Sequence, residues 1–566
     1  MSESPDAMSV KNQTVPSGLA LDEQGYFSYL GDRFVPVGVN YWPSSCGVEM
    51  WVRWPAEEIR HDLDVIKSLG LNSVRFFLRW QDFEPRPGEY DAHMFDRLAQ
   101  FLTWCGERGL WAQPSLFVGW MSGGTFWPDW KGNRNLFAEE WMVRRSADFA
   151  RQAAAVLAPF HSRLLGIDQG NELCCLAESM AAPPNRVMAW CAAINQAIRD
   201  VYPHALIISG NEQNQIVNDT GWRFDAQPGT DLYSMHGYPV PAWHSVAFDG
   251  MTDSLCQSLL PFYTQIARAF GPVMVQEFGT IVTFGQRQQD EYLRAVLPAC
   301  WEAGANGFLW WCLRDIRADV HPYLSHRFES TLGLVDDQDQ VKPGLDYFIE
   351  FARSLQTRPI PQAAPRAIGI YWPRHYYHRD APLNPGNHPP QLSRWLVMVN
   401  WAFRQLGHPT RIVRGDRPLP QDLQTLVIPG AIPDAQEVQA LEAWVREGGH
   451  LLWHGPDPVN WGHELVRLLG ARPVDYRSVS PARFDAFGQN WTLDVYGREM
   501  RVELRIDTAT ILARDEDRLP ILLRNNLGRG CVVYALPLVD ECVARVADRP
   551  EQRRRWLKWY EGMYGA

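Results

Sequence analysis

Residues 164–171 have the sequence LLGIDQGN, an apolar run that ends in polar side chains, and residues 205–211, ALIISGN, repeat this pattern. Between the two runs, residues 187–201 (VMAWCAAINQAIRDV) place apolar side chains at helical spacing. Runs that are apolar on both faces are typical of parallel strands that helices cover on either side. The strand–helix–strand order therefore predicts a parallel α/β unit in this part of the chain.

The same unit recurs throughout residues 30–350, where eight apolar runs alternate with helical patterns such as residues 56–69 and 288–303. Eight β/α units over about 320 residues predict a (β/α)8 TIM barrel. An open doubly wound sheet would need fewer strands and a phosphate-binding glycine loop, and the chain has no GxGxxG that opens a helix. The eight runs are FVPVGVNY (34–41), NSVRFFLR (72–79), LWAQPSLF (110–117), LLGIDQGN (164–171), ALIISGN (205–211), DLYSMHGY (231–238), PVMVQEFG (272–279) and NGFLWWCL (306–313).

A second domain is predicted beyond the proline-rich stretch TRPIPQAAPRA (357–367), which has the composition of a linker. Further apolar runs follow, and residues 433–447 predict a helix that begins with a capping box of Asp434 and Glu437. This pattern favours a smaller, open doubly wound α/β domain, which resembles flavodoxin-like and amidotransferase-like domains.

We place the barrel at residues 18–357 and the second domain at residues 365–566. Residues 472–540 show the alternation that is typical of antiparallel strands. The sequence leaves open whether this β-rich part is a subdomain of its own or completes the second domain.

Composition excludes several classes of function. The chain has 566 residues and a net charge of −11, and this acidic balance argues against nucleic acid or an anionic membrane as the partner. No run reaches the roughly 18 consecutive apolar residues of a transmembrane helix. Residues 1–18 lack the features of a secretory signal, so we expect a cytoplasmic protein. The ten cysteines form no CxxC pair and no Cys/His cluster, so we expect reduced thiols, no metal and no cofactor.

Two carboxylates stand at the carboxyl ends of predicted strands, where the side chains of such a barrel converge on one site. Glu172 follows strand four and Glu277 ends strand seven, so they face each other across the barrel mouth. Glycoside hydrolysis requires such a pair, since one carboxyl protonates the leaving oxygen while the other attacks the sugar or activates water.

Further residues at the strand ends form an ordered set with these glutamates. The set resembles the retaining glycoside hydrolases of clan A, most closely glycoside hydrolase family 5, over most of residues 30–350. Its members are Arg75, Asn171–Glu172, His236 and Tyr238, Glu277-Phe278-Gly279 and Trp311-Cys312-Leu313.

The resemblance implies that Glu172 is the acid/base and Glu277 the nucleophile. It also implies that Arg75 and Tyr238 keep Glu277 ionised and that His236 supports Glu172. Two further residues would contact the sugar, with Asn171 binding its 2-hydroxyl and Trp311 serving as its platform. Asn40 and Trp120 complete the predicted substrate-binding residues. A cation and a phenol beside a carboxylate lower its pKa, which agrees with the nucleophile assignment. We therefore predict retention of the anomeric configuration and a carboxyl separation of roughly 5–5.5 Å.

One competing carboxylate needs to be weighed, because Gly210–Asn211–Glu212 repeats Gly170–Asn171–Glu172. The first tripeptide in the chain follows strand four and the second follows strand five, so strand order favours Glu172. If a strand were miscounted, Glu212 would take its place.

The loop after strand three is rich in aromatic side chains, which stack on the apolar faces of pyranose rings. It is therefore a candidate wall of a sugar pocket, and the alternative is that about half of these rings pack the loop onto the barrel. The rings are Trp120, Phe126, Trp127, Trp130, Phe137 and Trp141.

The second domain resembles the amidotransferase-like domain that follows the barrel in family 42 β-galactosidases, where it mediates trimerisation. Its strand ends at Pro429–Gly430 and His454–Gly455 carry no cysteine nucleophile, so we expect a non-catalytic domain. The resemblance implies a homo-oligomer, a dimer or trimer, formed through this domain. A further hypothesis is that residues 373–390 reach the active site of a neighbouring subunit.

These observations favour a retaining, exo-acting β-glycosidase whose partner is a β-linked oligosaccharide, with manno- or galacto-configured sugars suggested by the resemblance. One alternative is an endo-β-mannanase, an endo-glucanase or a transglycosylase that uses the same residues. A second alternative is a catalytically inactive carbohydrate-binding module.

Overall fold

The computed structural model describes residues 18–362, 364, 366–377, 389–455, 462–478, 482–493 and 500–566. Its larger domain is a barrel of eight parallel strands, numbered β1–β8 in chain order. All eight coincide with the runs predicted from the sequence, so the TIM-barrel prediction is confirmed. The strands are β1 (Val37–Asn40), β2 (Ser73–Phe77), β3 (Trp111–Ser115), β4 (Ile167–Asp168), β5 (Ile207–Ile208), β6 (Tyr233–Gly237), β7 (Val273–Phe278) and β8 (Ala305–Trp310).

Neighbouring strands pair in the order β5-β4-β3-β2-β1-β8-β7-β6, and a parallel bridge between Ile208 and Leu232 closes the ring. Every residue of β2, β3, β7 and β8 is buried, as expected for strands between a filled interior and an outer layer of helices. Around the ring, β4 and β7 separate two groups of strands. One group is β8, β1, β2 and β3, and the other is β5 and β6.

Long helices follow most strands on the outside of the barrel, but β5 is followed by a helix of only four residues, Asn214–Val217. The second-domain helix Pro389–Gln405 packs against Asn214–Val217 and against Ser254–Arg268. It thus covers the part of the barrel where β5 has no long helix of its own. The long barrel helices are Ala56–Ser68, Ala92–Glu107, Glu140–Leu157, Pro184–Val201, Ser254–Arg268, Gln286–Glu302 and Asp346–Leu355.

A small antiparallel sheet of Leu19–Leu21, Phe27–Tyr29 and Asp32–Arg33 precedes the barrel. It buries Leu19 and Phe27 together with Trp111 and Leu232, which lie where β3 and β6 begin. The sheet therefore covers the end of the barrel opposite the predicted site. No helix among the described residues is long and apolar enough to cross a membrane.

The second domain is built on a seven-stranded sheet of order β10-β9-β11-β12-β19-β18-β17, parallel except at β17 and β18. The strands β17, β18 and β19 belong to this sheet. The other strands of the β-rich part form two separate two-stranded sheets, in which β13 pairs with β16 and β14 pairs with β15. The strands are β9 (Ile368–Trp372), β10 (Thr410–Arg414), β11 (Thr425–Pro429), β12 (His450–His454), β13 (Ala471–Ser478), β14 (Ala482–Ala486), β15 (Gln489–Leu493), β16 (Met500–Ile506), β17 (Thr510–Arg514), β18 (Pro520–Leu527) and β19 (Gly530–Ala535).

The predicted helix of the second domain is present as Ala435–Arg446, and both hydrogen bonds of the Asp434–Glu437 capping box are made. This confirms the prediction, since the reciprocal bonds satisfy two backbone donors that a helix start leaves open. The other helices of this domain are Pro389–Gln405, His463–Leu469, Val539–Ala544, Pro550–Arg555 and Leu557–Gly565.

Buried polar contacts fix the two domains to each other. The hydroxyl groups of Tyr376 and Tyr377 donate to the carbonyl oxygens of Ile216 (2.7 Å) and Gln215 (2.9 Å). Arg553, which is 1% exposed, forms an ion pair with Asp253 of the barrel. The barrel loop after β5 therefore has a defined position against the second domain.

Candidate active site

The two predicted glutamates meet at the carboxyl ends of the strands. Glu277 lies in β7, and Glu172 follows β4 in the left-handed backbone region, with φ of 50°. Its backbone N–H donates to the Gly210 carbonyl at 2.8 Å, which helps to hold a conformation that is costly for a residue with a Cβ. Oxygens of the two carboxyl groups and a His236 ring nitrogen lie within 4.8 Å of one another. So close an approach agrees with the separation of about 5–5.5 Å in retaining glycosidases and not with the roughly 6.5–9.5 Å of inverting ones.

Two hydrogen-bond donors favour the ionised form of Glu277. The Tyr238 hydroxyl donates to one oxygen at 2.8 Å and Arg75 to the other at 3.2 Å, while His236 Nδ1 lies 3.6 Å away. Burial and the neighbouring Glu172 raise the pKa of Glu277, whereas Arg75 and Tyr238 lower it. Arg75 and Tyr238 therefore lie beside Glu277, where the resemblance implied them.

Glu172 has the environment of a carboxylic acid that is protonated near neutral pH. Burial raises its pKa to about 7, with Arg75 opposing the shift and Glu329 adding to it. Its oxygen lies 2.9 Å from His236 Nδ1, on the side where the resemblance implied support by this histidine.

The tautomer of His236 follows from the residues behind it. The amide nitrogen of Gln276 donates to Asp168 at 3.2 Å, so its carbonyl oxygen faces His236 Nε2 at 3.0 Å. Nε2 must therefore carry a proton. Burial lowers the pKa of His236, which favours the neutral ring, and in that form Nδ1 accepts a hydrogen bond. Its donor is the protonated carboxyl of Glu172.

Arg75 organises the floor beneath the two glutamates. It is fully buried, and besides Glu277 it donates to Asp168 (2.7 Å), Asn171 (2.8 Å) and Asn40 (3.0 Å). It belongs to the support of the site and not to the pocket wall, which agrees with the implied role of holding Glu277.

The prediction that Asn40 binds substrate is wrong. Its amide nitrogen donates to the carbonyl oxygens of Gln276, Leu309 and Trp310, and its oxygen accepts from Arg75. Asn40 is fully buried below the pocket because β1 directs this side chain into the barrel interior.

The glutamates open into a cavity of about 910 Å³. Trp311 lines it, and its indole N–H donates to Glu329 at 2.9 Å, whereas Trp310 packs in the core and donates to the Leu332 carbonyl. This settles which of the two tryptophans faces the site. Other lining residues are Trp120, Asn171, Glu212, His236, Tyr238, Trp243, His326 and Phe328, and also Gln391 and Arg394 of the second domain.

Comparison with known proteins places this site in a family. Residues 38–315 match the family model for cellulase (glycosyl hydrolase family 5). An exo-β-1,4-mannosidase from Opitutaceae bacterium strain TAV5 is 49% identical, with a TM-score of 0.92 over 96% of this chain and 99% of that one. The chain belongs to glycoside hydrolase family 5. It is therefore a retaining glycoside hydrolase of clan A, in agreement with the spacing of its carboxyl groups.

More distant similarities concern the fold or a short segment. A GH42 β-galactosidase from G. stearothermophilus is 14% identical, with a TM-score of 0.66 over 93% of this chain and 88% of that one, and this shows a common fold alone. A β-galactosidase from Aspergillus niger is 25% identical over 206 residues, which is 33% of this chain and 19% of that protein. The family 5 chain thus spans about a fifth of the length of the curated relatives it matches.

Most aromatic residues of the loop after β3 pack on the barrel of this family 5 enzyme. Of the six predicted, Trp120 lines the described cavity and is 40% exposed. Phe126 and Phe137 are buried, and Trp130 donates its indole N–H to the Glu84 carbonyl. The packing alternative therefore holds for most of these rings.

Two further carboxyl groups line the pocket, and burial raises the pKa of Glu329 to about 7 and that of Glu212 to about 8. Glu329 lies in the short 3-10 helix Arg327–Thr331, which carries no recognisable motif, so the sequence did not point to it. Glu212 follows β5 as expected and accepts hydrogen bonds from Cys174 and Cys175. The strand count is correct, and Glu172 is the predicted acid that lies beside Glu277.

Among the described residues, two groups have a spacing that suits a metal ion. One is the catalytic cluster of Glu172, His236 and Glu277, whose hydrogen bonds are accounted for above. The other is Cys174, Cys175 and Glu212, where burial raises the pKa of Cys174 to about 11. A thiol must lose its proton to bind a metal, so this environment does not favour a ligand role.

Proposed function

We propose that this family 5 enzyme is an exo-β-mannosidase, which removes single mannose units from the non-reducing ends of β-1,4-linked oligosaccharides. The main support is a barrier across the pocket on the side of β8 and β3. The 49% identity to an exo-β-1,4-mannosidase also supports this proposal.

The barrier is a contact between the loop after β3 and the loop after β8. A Cβ on Gly123 would lie 1.9 Å from a ring carbon of His326, and one on Gly124 would lie 2.9 Å from His321. Both imidazoles thus press against glycine backbone, and any larger residue would collide with them. A chain that continued past the first sugar in this direction would meet this wall, which supports binding of a terminal sugar.

In the proposed double displacement, Glu277 attacks the anomeric carbon while Glu172 protonates the leaving oxygen. Glu172 then deprotonates the water that hydrolyses the glycosyl–enzyme intermediate. Tyr238 and Arg75 hold the attacking oxygens, Asn171 binds the 2-hydroxyl, and Trp311 carries the apolar face of the sugar.

The test is a panel of aryl β-glycosides together with β-1,4-mannotetraose, given to the wild-type enzyme. We expect the mannoside to be turned over best and mannotetraose to yield mannose and mannotriose first. Proton NMR should show the β-anomer of mannose as the first product. A preference for β-galactoside, which the Aspergillus niger match favours, would contradict the choice of sugar.

The same assay separates the competing functions. Mannobiose as the initial product from mannotetraose would show an endo-mannanase, and products longer than the substrate would show a transglycosylase. Absence of turnover with retained sugar binding would favour an inactive binding module.

We also propose that the second domain is non-catalytic and joins subunits in a cytoplasmic oligomer. The hypothesis that residues 373–390 reach a neighbouring subunit cannot rest on residues 378–388, which lie outside the described residues. The described part of this segment contacts its own barrel through Tyr376 and Tyr377. Light scattering after gel filtration measures the number of subunits, and a monomer would contradict the oligomer proposal.

A further inference from the structure

The second domain contributes directly to the pocket. Pro390, Gln391 and Arg394 line the same cavity as Glu172 and Glu277. They lie in the first two turns of the helix Pro389–Gln405, which covers the part of the barrel where β5 lacks a long helix. The domain therefore does more than extend the molecule, since it forms one wall of the pocket.

Strand order shows which part of the pocket this wall surrounds. Glu172 and Glu277 stand on β4 and β7, which divide the ring into the β8–β3 side and the β5–β6 side. Trp311, the proposed platform for the sugar that is attacked, follows β8. The leaving group must then extend toward the β5–β6 side, where the second domain lies.

Three polar atoms on this side have no hydrogen-bond partner among the described residues. They are Gln391 Oε1, Arg394 Nε and Gln213 Oε1, and all three are buried. Among the described residues, the acid that pairs with Arg394 is Glu541, at 3.4 Å. The hydroxyl groups of a sugar both donate and accept hydrogen bonds. A sugar can therefore donate to the two amide oxygens and accept from the guanidinium at the same time.

An aromatic face completes this region. Trp243 lines the cavity, is 44% exposed and stands at 90° to Tyr238. Because Tyr238 binds Glu277, the tryptophan lies beside the catalytic pair on the leaving-group side. Exposed indole faces bind the apolar face of a pyranose ring.

We propose that Gln391 and Arg394 of the second domain, facing Trp243 of the barrel, form a subsite for the reducing-end sugar of a β-linked oligosaccharide. This inference rests on the proposed function, because it takes the β8 side as the site of the attacked sugar. It makes the second domain a determinant of which leaving groups the enzyme accepts.

The experiment compares two substrates in the variants R394A, R394K and Q391A/R394A. β-1,4-Mannobiose has a sugar as its leaving group, whereas β-mannosyl fluoride has a single atom that reaches no subsite. We expect kcat/KM for mannobiose to fall about 10- to 100-fold in R394A and Q391A/R394A, as for lost hydrogen bonds to substrate. R394K should lose less, and kcat/KM for the fluoride should stay within about twofold.

The control is R404A on the same helix, since Arg404 is exposed and remote from the cavity lining. It should behave as wild type on both substrates. Equal losses on both substrates, or no loss on mannobiose, would overturn the subsite. If wild type turned over neither substrate, the proposed function would fall and the subsite with it. Thermal unfolding of each variant confirms that the helix is still packed.

Discussion

The indole N–H of Trp311 donates a 2.9 Å hydrogen bond to Glu329, which ties the proposed sugar platform to a third buried carboxyl group. Glu329 is 3% exposed, and burial raises its pKa to about 7. It also raises the pKa of Glu172. The residue therefore acts on both the position of the platform and the protonation of the acid.

The pH profile should report the acid directly. Because the pKa of Glu172 is raised to about 7 and the acid must be protonated, kcat/KM should level off about one pH unit below that value and fall as the pH rises through it. The measurement is kcat/KM for an unactivated mannobioside between pH 5 and 9. The rate of E172Q should be about 10²–10⁴-fold lower, and its pH profile should lack the alkaline limb. If the limb persists in E172Q, a group other than Glu172 is responsible for it.

E329Q should move that alkaline limb to lower pH. The substitution removes a charge that raises the pKa of Glu172, while the amide oxygen can still accept the hydrogen bond of Trp311. The matched control is E140Q, because the side chain of Glu140 is 84% exposed. A limb that stays in place in E329Q, or moves equally in E140Q, would contradict the electrostatic link.

Y238F should slow catalysis without unfolding the protein. The lost 2.8 Å hydrogen bond to Glu277 involves a charged acceptor, and such bonds contribute about 1.5–3 kcal/mol, or roughly 10- to 100-fold in rate. The acidic limb of the pH profile should also move to higher pH, since the hydroxyl lowers the pKa of Glu277. Stopped assays of kcat with an aryl mannoside test both, and Y347F on a surface helix serves as the control. An unchanged kcat would show that the hydrogen bond from Tyr238 to Glu277 does not assist catalysis.

R553M should destabilise the contact between the domains. Arg553 is 1% exposed, binds both carboxylate oxygens of Asp253 and lies 4.5 Å from the ring centre of Trp401. Its loss leaves a buried carboxylate unpaired, which typically costs about 3–5 kcal/mol. Denaturant unfolding should show this decrease, and adding D253N should recover part of it.

The control for R553M is K558M, in an exposed pair with Glu561. Exposed pairs contribute at most about 1 kcal/mol, so K558M should unfold nearly as wild type does. Similar stability losses in both variants would show that the buried pair has no special role.

Much of the fold was predictable because it depends on patterns among residues that are close together in the sequence. Each barrel strand is an apolar run whose pattern is complete within about eight residues, and the Asp434–Glu437 capping box spans one helical turn. Glu172 and Glu277 were identifiable because strand order alone determines which carboxyl ends lie across the barrel from each other.

Asn40 shows where this reasoning failed. Its position at a strand end was correct, but the depth of a side chain below the mouth depends on neighbours such as Arg75 and Gln276 that are distant in sequence. Glu329 was missed for the same reason, since only its contact with Trp311 places it in the pocket.

Local periodicity and the order of strands were therefore enough to predict the barrel, the family and the two glutamates that we propose as the catalytic pair. The side chains that surround the pocket depend instead on contacts between residues far apart in the chain. Arg394 lies more than 200 residues from Glu172 along the chain, and it reaches the pocket because a second-domain helix covers the gap beside β5. No local pattern encodes such a contact, since it depends on how two separately folded units pack together.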